Sequence, residues 1–157
     1  MAAKRIEENI TVKATNRKAL RDYEIESRIE AGIALLGSEI KSIREGRVNI
    51  RDAYATVEGG EAYLYGMHIA SYPQASHFGH EPERKRKLLL HRDEIKTIAG
   101  KIQEKGYTLV PLKVYIKNGW AKVELGLARG KRKHDKRREI ARREAEREMD
   151  RAARRRR

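Results

Sequence analysis

A chain of 157 residues with 37 Lys or Arg against 23 Asp or Glu carries a net charge of +14, an excess that needs an anionic partner. No apolar run approaches the ~20 residues that cross a bilayer, and the basic start MAAKRIEENITVKA has no apolar stretch of the kind a secretory signal needs. With no cysteine there is neither a disulfide framework nor a cysteine-held zinc site, so the expectation is a cytoplasmic protein that binds nucleic acid and not a membrane.

Residues 1–15 are polar, with Ile10 and Val12 alternating as at a sheet edge. Asn16 is a good N-cap for a short helix that ends before Asp22. Tyr23–Glu30 alternates apolar with polar, which predicts a strand with one buried face. Gly32 marks a bulge or a close backbone approach, and Ile33–Leu36 continues as buried strand. Ser38–Arg44, with Ile40 and Ile43 three apart, predicts a short amphipathic helix stopped by Gly46. Ala53–Glu58 and Glu61–Gly66 flank Gly59-Gly60 and predict a β-hairpin. Met67 to Arg86 reads as a long loop. Leu88–Lys105 predicts the clearest helix, with Ile95, Ile98, Ala99 and Ile102 on one face, His91 at the N-cap and Glu94 at N3. Tyr107–Ile116 is a long strand whose Pro111 points to an edge or a bulge. Asn118-Gly119 turns, and Trp120–Ala128 returns as its partner.

This order predicts a mainly β fold with flanking helices, a small OB-like antiparallel β-barrel over residues 1–130. The tail, 131–157, holds 14 Lys or Arg against 6 Asp or Glu, a net +8 in 27 residues. Its apolar positions are few: Ile140, Ala141, Ala145, Met149, Ala152 and Ala153. The spacings Glu139–Arg143 and Asp150–Arg154 favour a helix by only ~0.2–0.5 kcal/mol each. A segment this short of apolar contacts is expected to be disordered alone and helical against an anionic surface.

Motifs for chemistry are absent. Gly126 to Lys131 fails as a P-loop, because three residues separate its glycines and Arg132 follows the lysine. His77, His80 and Glu81 lack the further ligands of a metal site, and no serine sits in a nucleophile elbow. No enzyme, cofactor or metal is expected. The run Arg84-Lys85-Arg86-Lys87 lies ahead of the predicted helix start, a place suited to phosphate. Arg44, Arg47, Arg51 and Lys122 are candidates to extend it. The tyrosines read mostly as core or cross-strand pairs, while Trp120, at a turn, is placed to stack on a base. His134, among Lys131, Arg132, Lys133, Lys136 and Arg137, can stack while its neighbours hold phosphates.

The strings NRKA at Asn16, EAGI at Glu30, GSEIKSIR at Gly37, KLLLH at Lys87, KGYTLVPL at Lys105, KVEL at Lys122 and ARGK at Ala128 through to Asp135-Lys136-Arg137 occur in a telling order. Over residues 10–150 the chain resembles the SmpB (SsrA-binding protein) family. That resemblance implies a barrel that binds the tRNA-like domain of transfer-messenger RNA (tmRNA, SsrA RNA) and escorts it to stalled ribosomes. It implies an RNA-binding face at Glu30, Leu89, His91 and Lys122, to which the residue reading adds Arg84, Arg86, Lys87 and Trp120. It also implies that the tail occupies the decoding centre against 16S rRNA and the empty mRNA channel through Lys131, Arg132, Lys133, His134, Asp135, Lys136, Arg137, Ile140 and Arg143. Elongation factor Tu and alanyl-tRNA synthetase follow as partners through the tmRNA complex, with the protein a monomer. Arg132 replaces the usual lysine of the tail element, and Arg154–Arg157 lies outside the family pattern. Leu89 stays open between RNA contact and plain core. A ribosomal-RNA-binding protein or RNA chaperone of the same barrel class is the alternative, and an RNA-processing enzyme using His77, His80 or His134 is a more distant one.

Overall fold

The computed structural model describes residues 9–71, 80–104, 106–130 and 133–155, the side chains of 133–139 excepted. In chain order the elements are β1 (Ile10–Thr15), α1 (Arg17–Asp22), β2 (Tyr23–Ile33), α2 (Gly37–Arg44), β3 (Val48–Asn49), β4 (Tyr54–Glu58), β5 (Glu61–Tyr65), β6 (His68–Ile69), β7 (Arg86–Leu89), α3 (Arg92–Gln103), β8 (Tyr107–Lys117), β9 (Trp120–Gly130) and α4 (Lys133–Arg155). Seven strands form one sheet in the order β1-β8-β4-β5-β7-β2-β9, and β9 also pairs with β8, so the sheet closes into a barrel. Every pairing is antiparallel. β3 and β6 make a separate small ladder.

β8 is shared along one edge. Its first half meets β4 at Ala55↔Leu109, and its second half, Lys113–Lys117, meets β1. Pro111 sits at the changeover, and its pairing with β9 shifts register between Pro111 and Lys113. A proline, with no N–H to give, fits where no ladder bond is lost. Buried Asn16 bridges the gap. Its N–H donates to Leu112 O (2.7 Å), and its Nδ2 donates to Pro111 O (2.9 Å) and Ile50 O (3.0 Å). Its Oδ1 accepts the Ala19 N–H at 3.0 Å, so the predicted cap of α1 is also a barrel fastener.

The core follows the alternation. Ala31 and Ile33, Ala62 and Leu64, Leu88, Leu109, Val114, Val123 and Leu125 point inward, with Ile43 of α2 and Ile98 of α3 packed in the same cluster. Each large apolar side chain among them contributes ~1.5–3 kcal/mol on burial. Gly59 (φ 57°) and Gly60 (φ 78°) make the turn of the expected hairpin, a backbone that β-branched residues resist.

Several boundaries differ from expectation. β2 stops at Ile33 because Leu36 caps α2 instead: its N–H donates to the Glu39 carboxylate (2.8 Å), and its carbonyl accepts the Ile40 N–H (3.1 Å). At Gly32 the expected close approach is present, a Cβ there lying 3.2 Å from Leu89 Cβ, while the bulge of β2 lies between Ile25 and Ser27. Leu88 and Leu89 belong to β7 and not to α3, which starts at Arg92. The stretch that reads as one loop contains β6. The tail residues Lys133–Arg155 form one helix here, exposed from 140 to 155. No helix among the described residues is long and apolar enough to cross a membrane.

Candidate nucleic-acid interface

Gly32 is the meeting point of three strands: it faces Leu89 of β7 and Lys122 of β9. Glu30, two residues back along β2, shares its outward side. Together with Lys87 and His91 these residues line a cleft of about 500 Å³. Leu89 is 53 % exposed and so is no part of the core: it stands at the surface beside a carboxylate and two lysines. Gly32 makes this possible, since a side chain there would crowd Leu89.

The Glu30 carboxylate is held before any ligand arrives. The Tyr115 hydroxyl donates to it, and Lys117 Nζ approaches at 3.4 Å. The Tyr115 hydrogen bond is the main cause that lowers its pKa below the ordinary value; partial burial opposes, and Lys117 and Lys122 add to the lowering. The group is therefore an ionised acceptor with a fixed direction. Lys87 pairs loosely with Glu61 at 3.4 Å. The His91 side chain is 93 % exposed, and the backbone N–H of His91 donates to Glu94 Oε1 at 3.2 Å. Trp120, 74 % exposed at the β8–β9 tip, lies two residues from Lys122 on the same face of β9.

Other expected members are elsewhere. Arg86 is fully buried and pairs with Glu39, so it is no part of the exposed basic footprint. Arg84 turns two guanidinium nitrogens to the same carboxylate. The run does not lead into a helix start, because β7 intervenes, and the first turn of α3 is supplied with acid by Asp93 and Glu94. Arg51 joins Lys13, Arg17, Arg21 and Arg143 of α4 around a separate basic cleft of about 760 Å³, apart from Lys122. Arg47 pairs with Glu45 at 3.6 Å, and Arg44 is exposed. His80 is buried between Ser38 Oγ and Ile69 O, each at 2.9 Å. Among the described residues no group of three His, Asp or Glu could hold a metal ion.

His77, Tyr72, Lys131 and Arg132 lie outside the described residues, as do the side chains of Lys133, His134, Asp135, Lys136 and Arg137. Farther along α4, Ile140 and Met149 are exposed, and Arg142 pairs with Glu146 at 4.0 Å. Two site residues escape sequence reading, Tyr115 and Lys117. Their link to Glu30 spans 85 and 87 positions and leaves no local signal.

The family model described as SmpB protein matches residues 13–155. An SsrA-binding protein of Halothermothrix orenii is 56% identical over 93% of this chain and 94% of its own length. One of Geobacillus kaustophilus is 60% identical over 88% and 90%. A solved chain from work on tmRNA–SmpB at the centre of the bacterial ribosome superposes with a TM-score of 0.66 at 49% identity, over 82% of this chain and 94% of that one.

Proposed function

The chain belongs to the SmpB family, and from that premise we propose that it is an RNA-binding protein of trans-translation, which grips the tRNA-like domain of tmRNA on the Glu30–Leu89–Lys122 face and brings it to stalled ribosomes. The observation that carries this reading is the carboxylate of Glu30, ionised, aimed by Tyr115 and set in an exposed cleft with Lys87 and Lys122. A negative group repels a phosphate backbone, so its place there is explained by base readout: it accepts from the N–H donors of an unpaired base. Lys122 and Lys87 meet phosphates, Leu89 packs against a base or sugar, His91 borders the contact, and Trp120 offers a stacking surface nearby.

The tail supplies the second half. Residues 131–157 carry a net +8 and enter the decoding centre and the vacant mRNA channel as a helix against 16S rRNA, with Arg143 and the basic cleft of the barrel facing the same anionic surroundings. The α4 helix is exposed from 140 to 155, so in this reading its stability comes mainly from the anionic surface it meets. Elongation factor Tu and alanyl-tRNA synthetase join as partners through the tmRNA complex. The protein works as a cytoplasmic monomer and performs no chemistry. Purification of the full chain under native conditions, followed by sequencing of the bound RNA, tests the reading: one dominant tRNA-like species is expected. A mixture of ribosomal RNA fragments would replace it with the ribosomal-protein or chaperone alternative.

A further inference from the structure

The segment Arg84-Lys85-Arg86-Lys87-Leu88-Leu89-Leu90 runs four cations into three leucines. In a strand with one buried face, a slip of one residue normally exchanges apolar for polar and is forbidden on that ground. Here it is not. β7 places Arg86 and Leu88 inward and Lys87 and Leu89 outward. A slip by one residue puts Lys87 and Leu89 inward, again a cation followed by a leucine. Neighbouring β5 has no such ambiguity, with Ala62 and Leu64 inside and Glu61, Tyr63 and Tyr65 partly exposed.

Within β7 what distinguishes the two registers is a carboxylate; beyond it, Leu90 packs against the core where a slipped chain would bring His91. Glu39 and Arg86 are both fully buried. Arg86 Nε donates to Glu39 Oε2 (2.5 Å), Nη1 to Met67 O (2.7 Å) and Arg84 O (3.1 Å), and Nη2 to Pro82 O (3.0 Å). These acceptors belong to α2, the β5–β6 link, the turn before β7, and β7's own lead-in. A guanidinium fork reaches all of them, whereas a lysine presents three donors from a single point. Glu39 is itself placed by the Leu36 N–H (2.8 Å) and by Arg84 (2.5 Å), and Ser42 ties α2 to Ala70 O (2.7 Å). Burying an ion pair is a poor way to stabilise a fold, and specifying register is its best-attested use.

We propose that the buried Glu39–Arg86 pair sets the register of β7 and so decides that Lys87 and Leu89, and not Arg86 and Leu88, stand on the outward side of the strand beside the RNA cleft. Glu39 and Arg86 are positioning residues; neither touches RNA. The significance for RNA binding rests on the proposed RNA face, but the register does not.

The chain has no cysteine, so paired substitutions report register directly. Tyr63 lies opposite Lys87 in the native pairing. Tyr63→Cys/Lys87→Cys therefore crosslinks the native register, and Tyr63→Cys/Leu88→Cys the slipped one. In the otherwise unaltered full-length protein the first pair oxidises and the second stays reduced. Glu39→Gln and, separately, Arg86→Lys are expected to raise the 63/88 crosslink at least ~10-fold, because the fork or its anchor is gone. The double variant Glu39→Gln/Arg86→Met is expected to restore the 63/87 crosslink, since the thioether side chain and Leu88 now supply apolar alternation. A pair with a merely stabilising role predicts no such restoration.

Three results overturn the proposal: a folded single variant that forms only the native crosslink, single variants that lose both crosslinks, or a double variant that keeps the slipped one. Affinity for tmRNA, measured on the Glu39 and Arg86 variants without cysteines, is expected to fall with the slipped fraction and return in the double variant. Crosslinks that behave as expected while tmRNA fails to bind any version would refute the proposed RNA face and leave the register proposal standing.

Discussion

Lys122 and Glu30 line one cleft with opposite charges, and salt separates what they do. A lysine that neutralises a phosphate releases a counterion, so Lys122→Ala is expected to weaken tmRNA binding and reduce the slope of log K against log salt by about 1. Glu30→Ala is expected to weaken binding with the slope unchanged, because base readout releases no counterion. Tyr115→Phe keeps the ring in the barrel and removes the hydroxyl that aims Glu30. We expect it to lower tmRNA affinity by roughly 3- to 10-fold, the scale of one ordinary hydrogen bond, because Lys117 still contacts the carboxylate. Filter binding over a salt series checks all three, and a Tyr115→Phe protein with full affinity would show that the hydroxyl aims nothing. The importance of Glu30 is legible only through the likeness of its EAGI string; the acid alone, on an exposed strand face, looks like any solvated carboxylate. What holds it is not legible, since the partner hydroxyl comes from a strand 85 residues away.

At the scale of elements the tail and the barrel are separable. Removal of residues 131–157 takes away no member of the Glu30 cleft. Affinity for tmRNA should then stay within about twofold, as for independent sites, while rescue of stalled ribosomes is abolished. Loss of tmRNA affinity on truncation would show that the tail belongs to the RNA grip. The legibility of elements follows the same local logic. The cap role of Asn16, Gly59-Gly60, the Ile95–Ile98 spacing and Asn118-Gly119 are signalled by near neighbours in the chain, and each is readable, while the barrel-fastening bonds of Asn16 are not. Leu88 and Leu89 read as helix because an unbroken apolar run has no period of its own. The two-residue strands β3 and β6 are too short for any pattern. Arg86 looks like surface charge in the sequence because Glu39, 47 positions earlier, is what draws it inside.

For the whole molecule, acid is the revealing stress. Burial pushes the Glu39 pKa up, but the hydrogen bonds from Arg84, Leu36 N–H and Arg86 outweigh it, and the net direction is down from 4.5. Glu30 is lowered as well. A carboxylate with a lowered folded-state pKa binds its proton more readily when the chain is unfolded. Its stabilisation is therefore complete above the ordinary value of 4.5 and is lost as pH falls through the lower, folded value. Urea midpoints should be flat near neutrality and fall below about pH 5. Glu39→Gln/Arg86→Met, which carries neither member of the buried pair, should fall less steeply. An equal acid slope in the two proteins would remove Glu39 from the account.

β9 carries Lys122 near one end and ends at Gly130, which is still paired with Tyr23 of β2 and is the last described residue before the tail. Eight residues of extended chain span ~27 Å. That stave is clamped on both sides, by β2 and by β8, so its length cannot flex. It is a built-in gauge: the residue at which the tail departs lies at one set distance from the Lys122 cleft. Lengthening this stave by two residues would preserve the facing of every side chain and move that point of departure by ~7 Å, a misfit in reach and not in grip.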